Sequence, residues 1–98
     1  MKKSNKCTEK ELLRTMTVEN ELGLHARAAA QIVKVAEKAG SSVVIEKDGE
    51  CVDASSILDI LTLNCPMGST ITVRVDTPED KDILDSIERL MKNRFGEQ

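Results

Sequence analysis

The chain has 98 residues, 40% of them apolar, one aromatic side chain and a formal net charge of −3. That length suits one compact domain and is short for two. With Phe95 as the only aromatic, the core must come from Val, Ile, Leu, Ala and Met. Little is left to stack on bases, and the negative charge offers no long-range attraction to nucleic acid or anionic lipid, so neither is an expected partner.

The stretch from Met1 to Lys10 is polar and charged and reads as a flexible tail, part of an N-terminal extension over 1–14 that precedes a single domain over 15–98. Thr15 to Asn20 alternates, with Met16 and Val18 on one face, which is the period of a half-buried strand. After a turn at Gly23, Ala26 to Ala39 predicts a helix. Ala29, Ile32, Val33 and Ala36 form its apolar stripe, and Gly40 is its expected stop.

Ser42 to Lys47 and Glu50 to Ala54 flank Asp48-Gly49, the strongest short hairpin signal, and can bury Val43, Ile45, Val52 and Ala54. Ser56 to Leu63 returns to helical spacing through Ile57, Ile60 and Leu61. Asn64 suits a left-handed cap there, and Pro66 forbids continuation. Ser69 to Asp76 alternates through Ile71, Val73 and Val75. Thr77-Pro78-Glu79-Asp80 then supplies a cap, a first-turn proline and acid for a last helix from Glu79 to about Arg94.

The order β-α-β-β-α-β-α, with one buried face per strand, predicts an α+β fold: a four-stranded antiparallel sheet covered on one face by three helices. Cys7, Cys51 and Cys65 are odd in number and lack C-x-x-C spacing, so they indicate neither a disulfide framework nor a zinc site and read as free thiols in a reducing cytosol. No window approaches the ~18 apolar residues of a membrane span, and no apolar segment follows the charged start, so a cytoplasmic location is expected.

His25, the only histidine, falls where a loop meets the first helix, in Gly23-Leu24-His25-Ala26-Arg27. A neutral imidazole near pH 7 is a nucleophile. A helix start offers unpaired N–H groups and a positive dipole end, which welcome an anion. Arg27 adds a fixed charge and a donor fork suited to phosphate oxygens. No Ser, Cys or carboxylate stands close enough in sequence to complete a hydrolytic set. A short H-x-R spacing alone is equally compatible with a helix-start histidine of no chemical role.

Gly23-Leu24-His25-Ala26-Arg27-Ala28-Ala29 resembles the G-[LIM]-H-[AT]-R-P-A signature of the HPr family, the histidine-containing phosphocarriers of the phosphoenolpyruvate-dependent phosphotransferase system. The resemblance runs from Thr15 to about Phe95, through the Asp48-Gly49 hairpin, Ser56-Ile57-Leu58 and Gly68. It implies an open-faced β-sandwich in which His25 takes a phosphoryl group on a ring nitrogen, pros or tele, from Enzyme I and delivers it to an Enzyme II A domain. Arg27 steadies the transfer, and the protein is a stoichiometric carrier rather than an enzyme. It further implies a monomer that needs no metal or cofactor. Ala28 replaces the usual proline, which would loosen the helix start without removing a charge or donor.

Ile57, Leu58 and Leu61 are too many apolar residues for one buried stripe on a two-turn helix, so at least one should be exposed, although all three could be core. The resemblance makes this helix part of the docking patch for Enzyme I and Enzyme II, and we expect Leu58 and Leu61 to join Ala26, Arg27, Ala30 and Lys34 there. Asp59 departs from the family's usual Gly or Lys. Ser56, with Asp59 three residues on, reads as an N-cap. By resemblance it also matches the serine that an HPr kinase/phosphorylase modifies in some bacteria, with consequences for transcriptional regulators. Leucine before glycine in Asn20-Glu21-Leu22-Gly23 looks more like the nitrogen-regulatory branch than the sugar-uptake branch. A binding regulator that leaves His25 unused is the alternative class.

Overall fold

The computed structural model describes residues 12–97. Four strands, β1 (Leu13–Thr17), β2 (Val43–Lys47), β3 (Glu50–Asp53) and β4 (Thr70–Val75), form one antiparallel sheet in the order β1-β4-β2-β3. Three helices, α1 (Ala26–Ala36), α2 (Ile57–Thr62) and α3 (Lys81–Lys92), complete the order read from the sequence. Asp48 and Gly49 both take positive φ and close the β2–β3 hairpin.

The period-two pattern explains the layering. Met16 faces Ile71 across the β1–β4 pair, and Val43 and Ile45 face Val75 and Val73 across β2–β4. All six are buried beneath the helices. The matching stripes are Ala28, Ala29, Ile32, Val33 and Ala36 on α1 and Ile83, Leu84, Ile87 and Met91 on α3. Alanines on α1 let the helix lie close to the sheet, as a core almost free of aromatics requires.

Several boundaries differ from expectation. β1 begins at Leu13, and Leu12 is already buried, so the 1–14 extension is shorter at its domain end; residues 1–11 lie outside those described. The reason is Arg14, a charge at an inward-facing register position that breaks the apolar alternation. It satisfies itself on Asp85 and Glu88 of α3. α1 stops at Ala36, because the next N–H groups make tighter bonds, Lys38 to the Val35 carbonyl and Ala39 to the Ala36 carbonyl.

Gly40 and Thr77 also act differently from their expected roles. Gly40 is no left-handed stop; its N–H donates to Asp80 Oδ1 at 2.9 Å, and Ser41 donates to Asp80 Oδ2 from both its N–H and its hydroxyl. The Gly40 N–H, then the Ser41 groups, hold the Asp80 carboxyl below the usual carboxylate range. Thr77 precedes a 3₁₀ turn, Pro78–Asp80, without donating or accepting a side-chain cap bond. The acid expected to charge the start of the last helix is thus used to tie that start to the end of α1.

Candidate functional site

The loop into α1 is shaped by Gly23 and Asn20. Gly23 has φ +70°, and a Cβ there would lie 2.4 Å from the Cys65 carbonyl oxygen and 2.9 Å from Pro66 Cα. Only glycine allows that approach of two backbone segments. Leu24 N–H then donates to the Cys65 carbonyl at 2.9 Å. Asn20, fully buried, donates through Nδ2 to the Gly23 carbonyl at 2.7 Å and to Glu97 Oε2 at 2.9 Å.

His25 therefore arrives as the N-cap of α1 in extended conformation, φ −76° and ψ 179°. Its Nδ1 accepts from the Arg27 N–H at 3.3 Å. Its Nε2 lies 2.6 Å from Glu97 Oε2. A nitrogen that accepts from a backbone N–H carries a lone pair, so in the neutral ring the proton belongs on Nε2, where Glu97 receives it. The bond from His25, reinforced by Asn20, keeps the Glu97 carboxyl below the usual range despite the opposing effect of partial burial. Side-chain exposure is 26% for His25 and 16% for Glu97, leaving the ring reachable from one side.

Arg27 is exposed, and among the described residues its guanidinium has no hydrogen-bond or ion-pair partner. Ala26 and Lys34 are exposed and Ala30 is half-buried. On α2 only Ile60 is buried; Ile57, Leu58 and Leu61 all face solvent, Leu58 at 74% exposure. Leu61 and His25 line one depression with Leu22, Leu24, Asn64, Cys65 and Pro66. Ser56 caps α2, accepting from the Asp59 N–H at 3.2 Å, and Asn64 takes the left-handed conformation after it. Lys47 reaches from the hairpin to the Asn64 carbonyl at 2.7 Å and so covers the end of α2.

The structure thus gathers His25, Arg27 and the apolar face of α2, as the sequence led us to expect. Glu97 was not foreseen, because it lies beyond the last periodic helix and has no pattern of its own. Positive φ at Arg94, Phe95 and Gly96 turns the chain back, and the burial of Phe95 pins that turn. Gly96 was the one available signal. Asn20 was read only for its neighbour Leu22, whereas its side chain is the strut beneath the histidine. The cysteines that are described, Cys51 and Cys65, are both free. No described helix is long and apolar enough to cross a membrane, and no group of three potential metal ligands occurs among the described residues.

These features define a class: an open-faced α+β sandwich whose first helix begins on a half-exposed histidine beside an apolar docking face. The family model for the PTS HPr component phosphorylation site matches residues 12–93. The chain is 41% identical over 86 residues to the phosphocarrier protein HPr of Cupriavidus necator, covering 88% of this chain and 97% of that one. It is 37% identical over 82 residues to HPr of Xylella fastidiosa, covering 84% and 92%. The crystal structure of HPr-C-His from Thermoanaerobacter tengcongensis superposes with a TM-score of 0.82 at 31% identity, covering 88% and 97%. The chain belongs to the HPr family, the phosphocarriers of the bacterial phosphotransferase system.

Proposed function

We propose that His25 is the phosphoryl acceptor, and that Nδ1 rather than Nε2 is the atom that bonds to phosphorus. The observation that carries this is the pairing of the two ring nitrogens: Nε2 is occupied by Glu97, while Nδ1 points to the start of α1. A phosphoryl group on Nδ1 would meet N–H groups at the positive end of an eleven-residue helix, with Arg27 free to swing onto its oxygens. The Nδ1 lone pair forms the N–P bond as the bond from phosphorus to the donor breaks, the leaving atom keeping its electron pair. The ring retains its Nε2 proton, so no separate base is needed.

The donor in this reading is phospho-Enzyme I and the recipient an Enzyme II A domain, in the cytoplasm, with the chain acting as a monomeric stoichiometric carrier rather than a turnover enzyme and needing no metal or cofactor. Ala26, Arg27, Ala30 and Lys34 of α1 with Leu58 and Leu61 of α2 form the docking face. Exposed apolar residues beside a chemically competent histidine support that role. The test is incubation with labelled phosphoenolpyruvate and Enzyme I. One acid-labile, base-stable phosphoryl group per chain is expected, and none on His25→Ala at retained fold. Label that persists in the alanine variant would refute the assignment.

A second reading places the chain in the nitrogen-regulatory branch. Leu22, 67% exposed at the edge of the histidine depression, favours it, because this branch-like residue sits where a partner would touch it. Faster labelling by the nitrogen-branch Enzyme I than by the sugar-branch enzyme would decide for it. Ser56 is the proposed second phosphorylation site, for an HPr kinase/phosphorylase, through which transcriptional regulators would be engaged.

A further inference from the structure

The geometry points to Glu97 as a positioning residue for phosphoryl transfer, one that assigns the two ring nitrogens of His25 their separate roles. This deepens the reading of His25 as the acceptor and rests on it. An imidazole at the mouth of a loop can rotate about its side-chain bonds and can hold its single proton on either nitrogen. Either freedom would spread the nucleophilic lone pair over several directions. Glu97 removes both at once, because one carboxylate oxygen 2.6 Å from Nε2 fixes the ring plane and receives the proton.

The carboxylate is itself held. Asn20 donates to the same oxygen at 2.9 Å while its other bond ties it to the Gly23 carbonyl. The segment carrying Glu97 is anchored by the buried Phe95, whose carbonyl accepts from Gln31 Nε2 of α1 at 3.1 Å. Three consecutive positive-φ residues, Arg94, Phe95 and Gly96, form this turn. Two of them bear side chains, which costs free energy that the anchoring contacts must offset. The result is a strap, joined at one end to the base of α1 and at the other to the ring it orients.

Two consequences follow for the reaction. Nε2 is shielded from a phosphoryl donor, so the label belongs on Nδ1. During attack the ring gains positive character, and Nε2–H keeps its acceptor without any group having to move. Orientation, rather than charge, is assigned to Glu97, because a glutamine oxygen at the same place would accept the Nε2 proton and the Asn20 donor equally.

The test compares Glu97→Ala with Glu97→Gln in the full chain, as substrates of Enzyme I, with stability followed by thermal melting. We expect Glu97→Ala to lower kcat by about fivefold or more at unchanged KM and near-unchanged melting, the scale of one lost hydrogen bond. Glu97→Gln should stay within about twofold of the parent, the hydrogen bond being kept. Imidazole ¹⁵N spectra should show the proton on Nε2 in the parent and the glutamine variant, and the proton shared between both nitrogens in the alanine variant. Parent-like kcat in Glu97→Ala would overturn the proposal, as would equal slowing of both variants, which would make charge the agent. Failure of the acceptor reading looks different: label would then persist on His25→Ala whatever stands at position 97.

Discussion

Two helices in this fold begin on a side chain that caps them, and the two starts are built for different work. Ser56 caps α2 through its hydroxyl, in the ordinary way, and follows with Asp59 in the first turn of a helix only six residues long. His25 caps the longer α1 through a ring nitrogen at 3.3 Å, a loose bond, and its other nitrogen is held by a carboxylate from the far end of the chain. One start closes on itself. The other leaves its N–H groups weakly engaged, which is what a transient anion needs. A helix start becomes a site when its cap is held from behind rather than by the helix.

The contrast should fail first at Gly23. Gly23→Ala brings a Cβ against the Cys65–Pro66 backbone in a left-handed conformation. A stability loss of about 2–4 kcal/mol is expected, together with displaced His25 and slowed labelling, while the α2 start is left intact. Denaturant unfolding and transfer kinetics would measure both. A stable, fully active Gly23→Ala would mean the loop does not depend on that approach.

Ser56 sharpens the comparison from the other side. Ser56→Ala should lose typically ~1 kcal/mol of cap energy and transfer phosphate normally. Ser56→Asp keeps a cap oxygen and adds charge beside the docking face, so it should raise the apparent KM for phosphorylation at unchanged stability. That effect should fade as salt rises, because exposed charges are screened over ~8–10 Å at physiological ionic strength. Identical low-salt kinetics for the aspartate variant and the parent would leave Ser56 as a cap alone.

The smallest structural effect is expected at Arg27. Its side chain is exposed and without an ion-pair partner among the described residues, so Arg27→Ala should change stability by less than about 1 kcal/mol. Transfer should slow by more than that figure implies, since the guanidinium is free for phosphate. Losses of equal size in unfolding and in transfer would instead make Arg27 structural.

Most of the fold was legible because it rests on local periodicity. Met16, Ile71, Val73 and Val75 alternate, and Ile32, Val33 and Ala36 recur at helical spacing, so every residue named for those stripes is buried. Ends were read less well where a long-range contact replaced a local signal. Arg14 extends β1 by pairing across to α3, and Asp80 claims Gly40 and Ser41 instead of capping its own helix. The spacing on α2 named three apolar residues and could not say which way they faced; the sheet beneath accepts only Ile60.

The sequence by itself determined the order of elements, the hairpin at Asp48-Gly49, and the placing of His25 at a helix start with Arg27 in its first turn. Each depends on neighbours within a few residues, where backbone preferences and side-chain period act directly. Only the tertiary structure decided which ring nitrogen is free. That choice is made by Glu97, 72 positions along the chain from His25, and by Asn20, whose buried amide joins the two. Such a contact leaves no periodic trace, because its geometry exists only once α3 has packed and Phe95 has turned the chain back across the sheet's helical layer.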